Sequence, residues 1–329
     1  MSTTFEFVVN DAYIDVGDTV INGIRLRKFQ EELFNSLGKY KRILLRAPTG
    51  SGKTFTLILA AIKSYLESQF YPVVGIYPSR ALVYDQARSV CETLSKMGLK
   101  KDGDSFVGRL YINGEDKGGI KFSVYILTSE NKAIPSKFQP SDSIPIVFTV
   151  PEYPYMFMTA MNRQRVASTV FDVAMKYGFD DAIQQLKGMR GEVRELLDYF
   201  SVFFNGHWFI DEFHLYSGIS RSSMLTLVEM FEKFNSLIVS NKTIVFSSAT
   251  PVPINIDKVI EVKTTQGGSK IRKATRVFFH VTPENPQEEL VNYVSCGGKK
   301  TAVILDRVYY VAELCKKVKD AAVVWGLDK

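Results

Sequence analysis

Residues able to do chemistry concentrate at three points of the chain. The first is Ala47-Pro48-Thr49-Gly50-Ser51-Gly52-Lys53-Thr54. Glycines at this spacing let backbone N–H groups wrap one phosphate chain at the start of a helix. The strict pattern opens with Gly, and Ala47 takes that place. The expected nucleotide cradle is Pro48, Thr49, Gly50, Ser51, Gly52, Lys53 and Thr54, with Lys53 on the β- and γ-phosphates and the Thr54 hydroxyl on Mg²⁺. The second point is Phe209-Ile210-Asp211-Glu212-Phe213-His214. An apolar strand ending in two acids sets carboxylates at the carboxyl edge of a sheet. Asp211 is expected to hold Mg²⁺ and Glu212 to orient the attacking water, the two roles that phosphoryl transfer to water requires. The third is Ser247-Ser248-Ala249-Thr250, whose small hydroxyls can bond the acidic motif and sense its state. Each run also occurs as an ordinary turn or solvated strand end, and it is their pairing that points to phosphoryl transfer.

These side chains need a scaffold that brings distant segments to one edge. Short apolar runs supply it: Lys41–Arg46, Val73–Tyr77, Ser123–Leu127, Ile146–Thr149, His207–Ile210 and Thr243–Phe246 read as strands. Thr54–Phe70 and Ser79–Met97 read as helices between them. Alternation of this kind predicts an α/β fold with a parallel sheet covered on both faces. Met156–Tyr199 shows no convincing strand and reads as a helical insertion. Lys263–Arg276 carries five basic residues and no acid, with a turn at Gly267-Gly268-Ser269. It reads as a solvated hairpin, with nucleic-acid contact the weaker alternative. Beyond it, Thr301–Leu305 and Arg307–Lys319 start another α/β unit.

With 46% hydrophobic and 23% charged residues, the composition is that of a globular protein and excludes disordered and fibrous classes. Lys and Arg outnumber Asp and Glu 41 to 35, a net charge of +6 that suits a polyanionic partner without requiring one. Three scattered cysteines argue against a disulfide framework and for a reducing, cytoplasmic setting. No run approaches the roughly 18 apolar residues that a membrane span needs.

Taken in order, A-P-T-G-S-G-K-T, D-E-F-H and S-A-T resemble the superfamily 2 helicases of the DExH type, over Leu26–Thr250. Leu26-Arg27-Lys28-Phe29-Gln30 resembles that family's adenine-reading segment, which would put Arg27 and Gln30 on the base. Tyr77-Pro78-Ser79-Arg80-Ala81-Leu82 with Gln86 resembles its motif Ia, and Thr149-Val150-Pro151-Glu152 its T-x-P-[DE] segment. The resemblance implies a RecA-like P-loop NTPase domain with ATP and Mg²⁺ as cofactors. It also implies a catalytic set of Lys53, Asp211, Glu212 and His214, and coupling through Ser248, Ala249 and Thr250. Ser79, Arg80, Gln86, Thr149, Pro151 and Glu152 would lie on the nucleic-acid side. Single-stranded DNA is expected ahead of RNA, with 3′ to 5′ translocation.

A narrower resemblance joins Phe209–Tyr216 and Ala302–Leu314 to the CRISPR-associated helicases of type I systems, in the type I-D form. The three histidines, His207, His214 and His280, make no H…H-D cluster. The resemblance therefore implies a separate HD nuclease subunit and a CRISPR surveillance complex as partners of a monomeric DNA helicase. The alternatives are another DExH-type RNA or DNA-repair helicase, or a catalytically weak module that docks to a partner. Helicases of this superfamily close ATP between two RecA-like domains, the second supplying an arginine finger worth about 10³–10⁵ in turnover. No Q-x-x-G-R-x-G-R run follows Leu305. Residues 1–262 are thus expected to be the first domain with an insertion at about 156–200, 263–273 a linker, and 274–329 the start of an incomplete second domain. Weak ATPase activity of this chain alone follows.

Overall fold

A strand in which every side chain is buried must be covered on both faces. Val73–Ile76, His207–Ile210 and Ile244–Ser247 are strands of that kind. The computed structural model describes residues 3–48, 50–68, 71–128, 143–155, 176, 203–237, 241–248, 254–265, 267–273 and 275–281. Its first strands are β1 (Thr3–Val9), β2 (Ala12–Ile14), β3 (Val16–Ile21), β4 (Ile24–Arg27), β5 (Arg42–Arg46), β6 (Val73–Ile76), β7 (Lys100–Asp102) and β8 (Ser105–Ile112). There follow β9 (Glu115–Leu127), β10 (Ile144–Thr149), β11 (His207–Ile210), β12 (Ile244–Ser247), β13 (Lys258–Glu261), β14 (Ser269–Arg272) and β15 (Thr275–Val281). The helices that matter for the site are α1 (Lys28–Ser36), α2 (Phe55–Leu66), α3 (Arg80–Lys96) and α4 (Gly218–Leu237).

The chain divides into two compact units, Ala12–Arg272 and Met1–Asp11 with Lys273–Lys329. In the latter, β1 and β15 pair antiparallel from Thr3↔Val281 to Val9↔Thr275. Residues 1–11 thus group with the C-terminal segment through a pairing between strands remote in sequence. The insertion expected at about 156–200, apart from Lys176, and the expected second domain, apart from β15, lie outside the described residues.

In Ala12–Arg272 the described strands form an eleven-stranded sheet in the order β13-β5-β12-β11-β6-β10-β9-β8-β3-β4, with β7 on β8. From β13 to β9 every neighbouring pair is parallel. This is the α/β, RecA-like arrangement expected from the sequence. Alternation along each strand sorts the core into two layers. Ile43, Leu45, Phe209, Val245 and Ile146 join α2 and α3 on one face. Leu44, Trp208, Ile210, Ile244 and Phe246 join α4 on the other.

The antiparallel arm β7–β8–β9 with β3–β4 was not expected. The sequence reading placed a strand at Ser123–Leu127, whereas β9 begins at Glu115. Two Asn-Gly pairs make the arm. Ile112 faces Glu115 across Asn113-Gly114, and Ile21 faces Ile24 across Asn22-Gly23. All four turn residues have positive φ, from 45° to 83°, as two-residue hairpins of this hand require. Among the described residues no helix is long and apolar enough to cross a membrane.

Candidate active site

Strand register decides which loops meet. Leu45 on β5 lies opposite Ser247 on β12, and Phe246 lies opposite Ile210 on β11. Ala47, Asp211 and Ser248 therefore leave the sheet side by side at its carboxyl edge, where open α/β sheets bind ligands. The loop after β5 turns on Ser51 N–H to Pro48 O at 3.2 Å, and Gly50 and Gly52 sit at φ 78° and 80°. It runs directly into α2, whose first amides are thereby aimed at the loop. Ser51 is fully buried. Thr49 lies outside the described residues.

Lys53 reaches across this edge. Its Nζ donates to Glu212 Oε1 at 2.8 Å and lies 3.8 Å from Asp211 Oδ1. Burial pushes the Asp211 carboxyl above the usual carboxylate range, opposed by the Lys53 charge. Asp211 Oδ1 is enclosed and makes no close, well-aligned hydrogen bond, although the Ser247 hydroxyl and the Glu212 N–H stand near enough to the carboxyl to favour its charged form. A hard oxygen left in that state beside a phosphate loop is a fitting ligand for a small divalent cation. A cavity of about 20 Å³ is lined by Lys53, Thr54, Tyr77, Asp211 and Ser247 among others. The Thr54 hydroxyl donates to Gln86 Oε1.

Glu212 adopts φ 47° and ψ 45°, a left-handed conformation that costs a non-glycine residue about 1–3 kcal/mol. The surrounding turn over-determines it, since Leu215 N–H bonds Glu212 O at 2.8 Å. The second carboxyl oxygen of Glu212 lies 3.4 Å from His214 Nδ1, and the same nitrogen is 3.4 Å from Ser248 Oγ. The acidic motif and the serine motif are thus joined through His214. Ala249 and Thr250 lie outside the described residues.

Arg27 and Gln30 are brought to the phosphate loop. Arg27 N–H donates to Gln30 Oε1 at 2.9 Å, and Gln30 Nε2 donates to Gly52 O at 3.1 Å. Arg27 itself spans Gly50 O at 3.3 Å and Ser269 Oγ at 3.3 Å. Gln30 is buried and holds the loop to the start of α1. Ser269 was missed from sequence, because its strand β14 reaches the site only by pairing with β2. The basic run around it is therefore no hairpin of its own: it supplies one strand of a ribbon whose other strand comes from residues 12–14. Ser247, read from sequence as part of the hydroxyl run, and Tyr77, read as the start of the motif Ia segment, both line the cavity beside Lys53 and Asp211.

The six residues expected on the nucleic-acid side separate. Ser79 and Arg80 are exposed at the start of α3, where Ser79 Oγ caps the helix by accepting Leu82 N–H at 3.3 Å. Gln86 lies at the phosphate loop, as described. Thr149 is fully buried and donates its hydroxyl to Leu127 O at 2.7 Å. Pro151 is buried, and Glu152 accepts from Ser220 on α4 at 2.6 Å.

Residues 27–194 match the family described as DEAD/DEAH box helicase. Among solved structures, the chain is similar to the DUF1998 helicase MrfA bound to DNA and AMPPNP, at TM-score 0.52 and 14% identity, covering 88% of this chain and 38% of that one. It is likewise similar to MrfA bound to DNA, at TM-score 0.52 and 15% identity, covering 88% and 37%. The chain spans under two-fifths of the length of these structures, and at such identity they speak for the fold. No curated protein matches the chain.

Proposed function

The chain belongs to the DEAD/DEAH box helicase family, and from that premise we propose that it is the ATP-dependent motor domain of a superfamily 2 helicase acting on single-stranded DNA. The observation that carries this reading is Lys53, held between Asp211 and Glu212 at the mouth of a glycine-rich loop. On nucleotide binding, Lys53 exchanges its carboxylate partners for the β- and γ-phosphates. Gly50, Ser51 and Gly52 supply backbone around the phosphates, and Arg27 and Gln30 stand beside them toward the base. Thr54 and Asp211 would hold Mg²⁺, which when bound neutralises charge on the phosphates. Release of Lys53 frees Glu212 to accept a proton from, and orient, the attacking water. His214 then passes the state of Glu212 to Ser248.

Ser79 and Arg80 are the surface from which nucleic acid is gripped. The residues after 273 are read as the start of a second RecA-like domain, on the strand-like run Thr301–Leu305 and the helical run Arg307–Lys319. The finest reading is a CRISPR-associated helicase of a type I system, working with a surveillance complex and a separate HD nuclease. It is supported by the runs Phe209–Tyr216 and Ala302–Leu314 alone.

The test is titration of a fluorescent ATP analogue into the chain and its Lys53→Ala variant. The parent should bind in Mg²⁺, and the variant should lose at least about tenfold in affinity. Equal affinities would sink the assignment. Steady-state ATPase with single-stranded DNA, single-stranded RNA or neither then decides the polymer.

A further inference from the structure

Helix α3 buries Val83, Ala87, Val90 and Leu94, a stripe of helical period that faces the sheet. Gln86 stands at the edge of this stripe, half-buried, one position before Ala87. A polar residue there needs a partner, and it has one: Gln86 Oε1 accepts the hydrogen of Thr54 Oγ1. Thr54 immediately precedes α2, and its carbonyl already begins that helix by accepting Leu57 N–H at 3.3 Å. A threonine hydroxyl has one hydrogen and two lone pairs. With the hydrogen committed to Gln86, the lone pairs are left for a cation.

We propose that Gln86 is a positioning residue: it fixes the rotation of the Thr54 hydroxyl so that the oxygen is presented to the divalent cation of a bound nucleotide. This rests on the nucleotide reading above and deepens it. Two observations support a cation at this place. Thr54 and Asp211 line the same small cavity. In addition, Asp211 Oδ1 is enclosed with no close, well-aligned hydrogen bond and with Lys53 Nζ 3.8 Å away, which suits an atom that can take a cation. Outer partners that orient a metal ligand typically contribute about 10–100-fold in metal affinity. The assignment also takes Gln86 out of the nucleic-acid interface, where its place on the helix after Ser79 and Arg80 would otherwise put it.

The experiment measures affinity for a fluorescent ATP analogue in Mg²⁺ and in EDTA, on the full chain. The ratio of the two isolates the part of binding that passes through the cation. Gln86→Met keeps length and removes the acceptor, so the ratio should fall about tenfold. Gln86→Glu keeps the acceptor and adds a charge that attracts the cation, so the ratio should stay at or above that of the parent. Thr54→Val should lose the ratio by itself, and Gln86→Met on top of it should add nothing, as two residues acting through one contact do. Affinity for single-stranded DNA without nucleotide should be the same in the parent and in Gln86→Met. An unchanged ratio in Gln86→Met, whether or not overall affinity falls, overturns the proposal. Loss of DNA affinity in that variant overturns it too and returns Gln86 to the nucleic-acid surface. A parent chain that binds no nucleotide in either medium removes the reading on which the proposal stands.

Discussion

Burial raises the pKa of the Asp211 carboxyl, and the Lys53 charge only partly opposes the shift. A carboxyl whose folded pKa is raised binds its proton more tightly in the folded state. Stability is then greatest below that window and falls as pH rises through it, so at neutral pH the ionised Asp211 is a net cost to the fold. Asp211→Asn should therefore raise the melting temperature, by roughly 2–4 °C for each kcal/mol relieved, and abolish the Mg²⁺ dependence of nucleotide affinity. Calorimetry and titration on one preparation check both, and a lower melting temperature would contradict the burial argument. Glu212 is held in a left-handed turn with its oxygens divided between Lys53 and His214. Glu212→Gln keeps that shape and removes the base. It should leave nucleotide affinity within about threefold and cut hydrolysis by at least about 100-fold. Hydrolysis at the parental rate would give Glu212 another role.

At the scale of elements, β11 leads into the acids and is anchored at its other end by His207, which burial keeps neutral near pH 7. His207 is enclosed, and its Nδ1 accepts Thr243 N–H at 3.1 Å. Burial, with the nearby Lys242 charge, lowers its pKa to about 4. A base with a depressed folded pKa contributes stability above the unfolded pKa of about 6.5 and loses it as pH falls toward 4. Urea unfolding at pH 7 and pH 4.5 should differ by roughly 2–3 kcal/mol from this group alone. His207→Gln should shrink the difference by that amount, and an unchanged difference would place the acid sensitivity elsewhere. Next along the strand, Trp208 is fully buried, bonds Phe203 O and packs on Phe231 at 4.6 Å between ring centroids. Trp208→Ala should cost about 3–5 kcal/mol and loosen α4 from the sheet.

For the molecule as a whole, a net charge of +6 makes any nucleic-acid binding sensitive to salt. The logarithm of affinity for single-stranded DNA should fall linearly with the logarithm of salt concentration. If Arg80 contacts one phosphate, Arg80→Ala should flatten that slope by about 0.7. Anisotropy of a labelled oligonucleotide over a salt series measures it, and an unchanged slope removes Arg80 from the interface. The chain passes between its two units twice, at Asp11–Ala12 and at Arg272–Lys273. Both crossings lie at the ends of strands that pair with each other, β2 and β14, and β14 is tied to the phosphate loop through Arg27 and Ser269.

The residues 47–54 and 209–214 could be read directly because their chemistry is local. A phosphate loop needs glycines, a lysine and a hydroxyl within eight positions, and an acidic strand end needs only its own apolar run. Strands buried on both faces were legible for the same reason, since β6, β11 and β12 are apolar at nearly every position. The Asn-Gly turns of the antiparallel arm were equally local, but polar alternation in the flanking strands carried less weight in the reading than apolar runs. What the sequence could not determine was direction. Whether Gln86 faces DNA or Thr54 depends on how α3 lies against α2, and whether the Thr149 hydroxyl faces out depends on β9 being its neighbour. Ser269 reaches Arg27 because β14 pairs with β2, across more than two hundred intervening residues. Tertiary structure decides these matters because strand order and helix rotation are set by burial summed over the whole core, to which no single segment carries the key.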